Sequence, residues 1–161
     1  ATFTVDGVEM TVLFASEDPV VENILAQVNA AQRNIRFLSF SFTYDEVGQA
    51  MLQRVGEGVT VEGVFEKRGS ETEYSELPLL YCAGLNVRQD GNPYALHHKV
   101  IIIDDHTVLT GSFNFSSNAT DSNDENLIII KDRDIASLYI EEFDRMMVQS
   151  KAPDRAKMNC S

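Results

Sequence analysis

Residues 97–114 constrain the fold of this chain more than any other stretch. Val100 to Ile103 is a short, unbroken, β-branched apolar run. Such a run suits a strand buried on both faces, so the chain must supply cover on both sides of a sheet. Asp104-Asp105-His106-Thr107 is turn chemistry. Val108-Leu109-Thr110 forms a second short run, and Gly111 removes a Cβ where the backbone must bend or let another group come close. The stretch reads as two strands around a tight turn.

Strand geometry then places the polar groups. Side chains two apart share a face, so His97 and Lys99 point the same way at the mouth of the first strand. Ser112 and Asn114 leave the end of the second strand, also two apart. A hairpin brings these outer ends together. Lys99 and Asn114 can donate hydrogen bonds to phosphate oxygens, and Ser112 can donate its hydroxyl proton. A neutral His97 can attack phosphorus or accept a proton. Nothing in the stretch has the pattern of a metal site.

Length and charge bound the rest. A chain of 161 residues fits one domain with a sizeable core. The net charge of −12 opposes non-specific binding to nucleic acid and to anionic membrane surfaces. A local cationic pocket still allows a polyanionic substrate. No apolar run approaches the length of a membrane span, and no basic-then-apolar leader opens the sequence. The start at Ala1 rather than Met fits an excised or processed piece. Cys82 sits among apolar neighbours and reads as a reduced core residue, while Cys160 falls in a polar tail. That leaves the compartment unknown, with a lean to the cytoplasm.

The remaining sequence alternates strand and helix signals. Val8–Phe14 alternates as a strand. Ser16 to Pro19 opens a helix to about Gln32, with Val20, Ile24, Leu25, Val28 and Ala31 on one stripe. Residues 34–43 read as a strand with Leu38, Phe40 and Phe42 on one face. Its other face carries Ser39, Ser41 and Thr43, either a hydrogen-bonded strand end or a polar wall of the site. A second helix opens at Tyr44 or Asp45 and stops at Gly56-Glu57-Gly58. Residues 59–65 form a strand followed by a loop in which Lys67 or Arg68 either touches substrate or is simply solvated. Residues 71–83 read as a third helix, 85–88 as a short strand, and 116–124 as a loop or short helix. Residues 125–130 are a buried strand. Asp132 or Asp134 caps a last helix to about Ser150, with Ile135, Leu138, Tyr139, Phe143 and Met146 inward. Residues 1–150 thus make one α/β domain, a mixed or parallel sheet with helices on both faces, and 151–161 a loose tail or linker. His98 lies on the opposite strand face from His97 and reads as structural. His106 reads as a solvated turn residue.

The spacing His-x-Lys-x4-Asp-x6-Gly-Ser-x-Asn is filled by His97, Lys99, Asp104, Gly111, Ser112 and Asn114. A chance match is on the order of one in 10⁸ starting positions. This is the signature of the phospholipase D superfamily, and the chain resembles one phospholipase D-like half over most of its length. The nearest likeness is the later half of two-motif bacterial members, and single-motif nucleases share the layout. The resemblance implies a phospholipase D-like mixed sheet and a metal-independent phosphodiester hydrolase or transferase with no cofactor. It implies His97 as nucleophile or its acid counterpart, with Lys99, Ser112 and Asn114 holding phosphate. Asp104 and Gly111 are structural by that likeness, and Glu125 orients the histidine. The family pairs two motifs, whereas this sequence has one. The second would come from a homodimer partner or from a missing half of a longer chain. Three readings follow: a phosphodiesterase acting through a phosphohistidine, a phosphate-binding half inactive in isolation, and a structural domain with a vestigial site, against which the intact motif argues. Phospholipid and nucleic acid present the same diester.

Overall fold

The computed structural model describes residues 1–161, apart from the side chain of Asp121. Its eight strands are β1 (Thr2–Val5), β2 (Val8–Phe14), β3 (Asn34–Ser39), β4 (Thr60–Phe65), β5 (Asn86–Gln89), β6 (Lys99–Ile103), β7 (Thr107–Gly111) and β8 (Asn126–Lys131). They form one sheet in the order β1-β2-β8-β7-β6-β3-β4-β5. β3, β4 and β5 run parallel, and the other neighbours are antiparallel. The sheet is mixed and covered on both faces, as the alternation of elements implies.

The apolar run sits at the centre. All five residues of β6 are buried. Ile101 and Ile103 join the core under α1 (Val20–Ala30), α2 (Asp45–Gly56) and α3 (Glu76–Cys82). Val100 and Ile102 join the second core under α5 (Arg133–Gln149), beside Phe143 and Met146. Two-sided burial is why this strand carries no alternation of polar residues. A short helix, α4 (Ser117–Asp121), follows the motif.

Asp104 fixes the hairpin. Its carboxylate accepts the backbone N–H groups of Gln32 at 2.9 Å, Arg33 at 2.7 Å and Asn34 at 3.1 Å, where the chain enters β3. Burial raises its pKa, but these three donors and the Arg33 charge outweigh that and hold it below the ordinary aspartate value. Asp104 and Asp105 both take positive φ, 56° and 54°, which aspartate tolerates in a tight turn.

Several local expectations change. β3 stops at Ser39, and the chain leaves the sheet there. Phe42 therefore packs with Phe37, Phe65 and Phe115 on the opposite face from Leu38. The third helix is shorter than expected, because Ser75 caps it by accepting from Leu77 N at 3.2 Å. Leu138 is 65% exposed rather than inward. Strand β1 was not anticipated. It pairs only with β2, and its alternating sequence is exposed throughout.

The largest correction is at the cysteines. Cys82 and Cys160 form a disulfide across 78 residues of sequence, so Cys82 is not a reduced core thiol. The loose tail is likewise replaced by a packed segment. Lys151 pairs with Gln89, residues Arg155–Lys157 form a 3-10 turn, and Met158 is 1% exposed. Disulfides persist in oxidising compartments, so the cysteines no longer favour the cytoplasm. Among the described residues, no helix is long and apolar enough to cross a membrane.

Two expectations follow. Closing a loop of this length is worth about 4.5 kcal/mol in the chain-entropy relation, and real bridges commonly deliver about 2–4 kcal/mol. Cys82→Ser is expected to lower the unfolding free energy by about 2–4 kcal/mol in urea titration. A change below about 0.5 kcal/mol would assign the tail's attachment to its other contacts alone. The second concerns Glu76, which is 3% exposed and whose Oε2 lacks a hydrogen-bond partner. A Cβ at Gly48 would collide with its carboxylate. Burial, reinforced by neighbouring Asp45, pushes its pKa up to about 8. The folded chain then keeps a proton that the unfolded chain releases above its ordinary value of 4.5. Stability contributed by this group therefore falls as pH rises from there to about 8. Glu76→Gln is expected to flatten that slope between about pH 5 and pH 8, read from denaturation midpoints. Parallel slopes for the two proteins would contradict the assignment.

Candidate active site

The outer end of the β6–β7 hairpin meets the carboxyl ends of β3 and β4, and the motif residues gather there. Register places Lys99 opposite Ser39 on β3 and Val100 opposite Thr110 on β7. Lys99 is 7% exposed, an ammonium at the end of an otherwise apolar strand. Its Nζ donates to the His97 carbonyl at 2.8 Å and lies 3.2 Å from His97 Nδ1. Burial lowers its pKa, and the negative charge of Glu125 partly restores it. His97 is exposed.

Phe40 lies against both groups. Its ring centroid is 4.5 Å from that of His97, and Lys99 Nζ is 5.1 Å from it. Its backbone N–H bonds the His98 carbonyl at 2.8 Å, which holds the segment after β3 against the strand that carries the motif. A cation over an aromatic face gains about 0.5–2 kcal/mol, depending on desolvation. Strand alternation puts Phe40 on one face with Leu38 and Phe42. The end of β3 at Ser39 is the local break that frees it.

The second arm of the motif is fixed by a backbone approach. Gly111 has φ +148°, and a Cβ there would collide with the Asn126 carbonyl. The same carbonyl accepts from Ser112 N and Phe113 N, both at 3.1 Å. Ser112 Oγ accepts from Asn126 N at 3.0 Å and Asn126 Nδ2 at 3.3 Å, which leaves its own proton free to donate. Asn114 is half-buried, and its carboxamide oxygen has no hydrogen-bond partner among the described residues. Functional sites carry unsatisfied groups of this kind.

The other sequence candidates divide. Glu125 precedes β8 and is felt electrostatically at Lys99, while Lys99, not Glu125, occupies His97 Nδ1. His98 turns to the α5 face, where its Nε2 is 2.9 Å from Glu142. His106 sits at the far turn, 3.1 Å from the Thr107 hydroxyl. Asp104 is at that same far end, away from the site. Ser39 is fully buried, whereas Ser41 and Thr43 line a cleft beside Phe40. Sequence reading passed over Glu66. It is 5% exposed, and its carboxylate accepts from Leu96 N at 2.6 Å and Arg68 N at 3.1 Å. It thereby ties the loop after β4 to the residue preceding His97. Its one sequence signal was an acid directly after a buried strand.

The β6–β7 register brings the end of the strand that carries Lys99 beside Gly111, from which Ser112 and Asn114 follow. Among the described residues, no cluster of His, Cys, Asp and Glu has the geometry to hold a metal ion.

Comparison with known proteins identifies the family. The family profile described as "Cardiolipin synthase, PLD-like domain" matches residues 24–147. The human protein named mitochondrial cardiolipin hydrolase is 31% identical over 132 residues, covering 82% of this chain and 52% of that protein. A Rickettsia felis protein named phospholipase D is 33% identical over 120 residues, covering 74% of this chain and 60% of that protein. The chain thus spans between half and two thirds of the length of these relatives. Among solved structures, a phospholipase D family member, Nuc from Salmonella typhimurium, superposes with a TM-score of 0.82 at 29% identity. That match covers 89% of this chain and 97% of Nuc. NucT from Helicobacter pylori shares the fold, with a TM-score of 0.84 at 19% identity over 91% of this chain and 99% of that one. With its motif intact, its mixed sheet in place and most of its length matched by the family profile, the chain belongs to the phospholipase D superfamily.

Proposed function

We propose that this chain is a phosphodiester hydrolase or transferase that works through a phosphohistidine, in a site completed by a second copy of the motif. The observation that carries the reading is the pairing of an exposed His97 with a buried Lys99 ammonium parked on it at 2.8 and 3.2 Å. A phosphodiester resists attack because its oxygens are anionic. Lys99, Ser112 and Asn114 from each copy neutralise those oxygens and the charge that builds in transit. Phosphate oxygens compete for the Lys99 ammonium and draw it off His97 Nδ1. That nitrogen is then free to carry the proton and donate it to a carboxylate, the role we assign to Glu125. The other ring nitrogen keeps its lone pair.

The steps balance with two histidines. One His97 attacks phosphorus, forming the N–P bond, and the leaving alcohol departs with a proton from the opposite His97. The opposite imidazole, now neutral, takes a proton from water or from an acceptor alcohol. The resulting oxygen nucleophile attacks phosphorus and the N–P bond breaks. No metal is required in this scheme, because lysines supply the positive charge.

A single chain lacks the second histidine, since His98 and His106 point elsewhere. A twofold pair of chains supplies it, with the exposed His97 side chains facing across the axis. The match to nearly the whole of Nuc, a phospholipase D family member of one such unit, supports the homodimer. The shorter coverage of the curated relatives supports a second reading, a phosphate-binding half of a longer enzyme that is inactive alone. Cardiolipin-like phospholipid and nucleic acid both fit the diester chemistry.

His97→Asn is expected to lower kcat on an aryl phosphodiester by at least about 10³-fold, with excess chelator present throughout. His98→Asn is expected to keep activity within about tenfold of the parent. A folded, inactive His98→Asn would reverse the assignment. Assembly is tested by mixing. Chains carrying His97→Asn and chains carrying Lys99→Met are each inactive as homodimers, and a mixed dimer still has one defective position on each side. Activity of mixtures with the parent chain should therefore fall faster than the parent's fraction. A linear fall, or full activity from a strict monomer in sedimentation, would refute the two-copy site.

A further inference from the structure

Phe40, which lies against His97 and Lys99, also lines a cleft. It has a volume of about 150 Å³ and is lined by Phe40, Ser41, Thr43, Arg68, Ser70 and Ser75 among others. Among the described residues, no Asp or Glu lines it. That absence is telling in a chain with 25 acidic residues against 13 basic ones.

The polar groups differ in how free they are. Ser70 Oγ donates to the Lys67 carbonyl at 2.8 Å and accepts from Gln89 Nε2 at 2.9 Å. Ser75 Oγ caps α3. The hydroxyls of Ser41 and Thr43 make no hydrogen bond among the described residues, and the exposed Arg68 guanidinium has no ion-pair partner among them. Most other arginines are engaged. Arg33 and Arg36 meet Asp105, Arg54 meets Glu57, and Arg145 meets Glu142. The Arg68 position is also built rather than incidental. Glu66 holds Arg68 N with one carboxylate oxygen and Leu96 N with the other, so Arg68 is indexed to the residue before His97.

We propose that this cleft is a second anion subsite. Arg68 supplies its cation and Ser41 and Thr43 its hydroxyl donors. It takes a second phosphate of the same substrate while the first lies at His97 and Lys99. The inference rests on the phosphodiesterase reading for the first phosphate. Its content is selectivity for substrates that carry two phosphodiesters, a chemistry that a bis-phosphate lipid and an oligonucleotide share. Guanidinium pairs bidentately with phosphate, and hydroxyls complete its coordination. The global charge of the chain repels the more anionic member of any substrate pair, so a preference for it must come from a local site.

The test is binding to full-length protein carrying His97→Asn, which separates recognition from turnover. One arm compares a trinucleotide, with two phosphodiesters, against a dinucleoside monophosphate, with one. The other compares vesicles containing cardiolipin with vesicles containing phosphatidylglycerol at equal surface charge. The two-phosphate member is expected to bind about tenfold tighter in one arm, and that arm identifies the source. Adding Arg68→Gln should bring the ratio close to one. Ser41→Ala with Thr43→Ala should reduce it several-fold. Arg68 is exposed, so its loss leaves the core intact. A ratio near one before any Arg68 change in both arms, or a ratio that survives Arg68→Gln, overturns the subsite. If the ratio is absent while the protein with His97 intact cleaves an aryl diester, the subsite fails and the function stands. If the ratio is present while no assembly cleaves any diester, the reverse holds.

Discussion

The Asp104 carboxylate and its three backbone donors govern the geometry of everything at the other end of the hairpin. They lock the turn between β6 and β7 to the chain entering β3. With Ile103 held opposite Ile35, the antiparallel ladder leaves Lys99 opposite Ser39. A slip of one residue would exchange the two faces of β6, sending Lys99 and His97 under α5 and His98 into the site. A residue far from the chemistry thus decides which histidine reaches solvent.

That register also creates an unusual electrostatic setting. Lys99 ends an apolar strand, so its ammonium loses water on most sides and gains Phe40, the His97 carbonyl and the charge of Glu125. A poorly hydrated cation is a stronger partner for a phosphate oxygen than one in bulk water. The acidic remainder of the surface sharpens the contrast. Long-range steering of polyanions is unfavourable, so affinity must come from contacts at the carboxyl ends of β3 and β4 and the mouth of the hairpin.

Much of this was legible in the sequence because two periods differ. The unbroken run of β6, the helical stripes of α1 and α2 and the motif spacing each reflect burial that residue type alone encodes. Other features depend on contacts between distant segments. The pairing of Cys82 with Cys160 follows from where α3 and the terminal segment meet, and two isolated cysteines in sequence carry no record of that. Met158 looked like a tail residue because a single apolar side chain has no period. Leu138 fits an i, i+3 spacing from Ile135, yet the buried face of α5 is centred on Ala136, Phe143 and Met146, and Leu138 falls outside it. Phe40 was put on the wrong face and Glu66 received no role because both lie one residue past the end of a strand. Alternation no longer predicts a face there, and the site is built from just those positions.

The strand order has a consequence for the time course of folding during synthesis. β2 finds its inner partner only in β8, with Leu13 beside Leu127, and β7 likewise waits for β8 on its open side. From the emergence of β2 until β8 is made the nascent chain therefore carries an incomplete edge at β2, joined by that of β7 only for the short interval before β8. Pairings between such distant segments form late and slowly. An unpaired apolar edge is also a template for other chains. β8 acts as the closing stave of the sheet, and the Cys82–Cys160 bond can form only after β8 has emerged. That edge must stay shielded until β8 arrives.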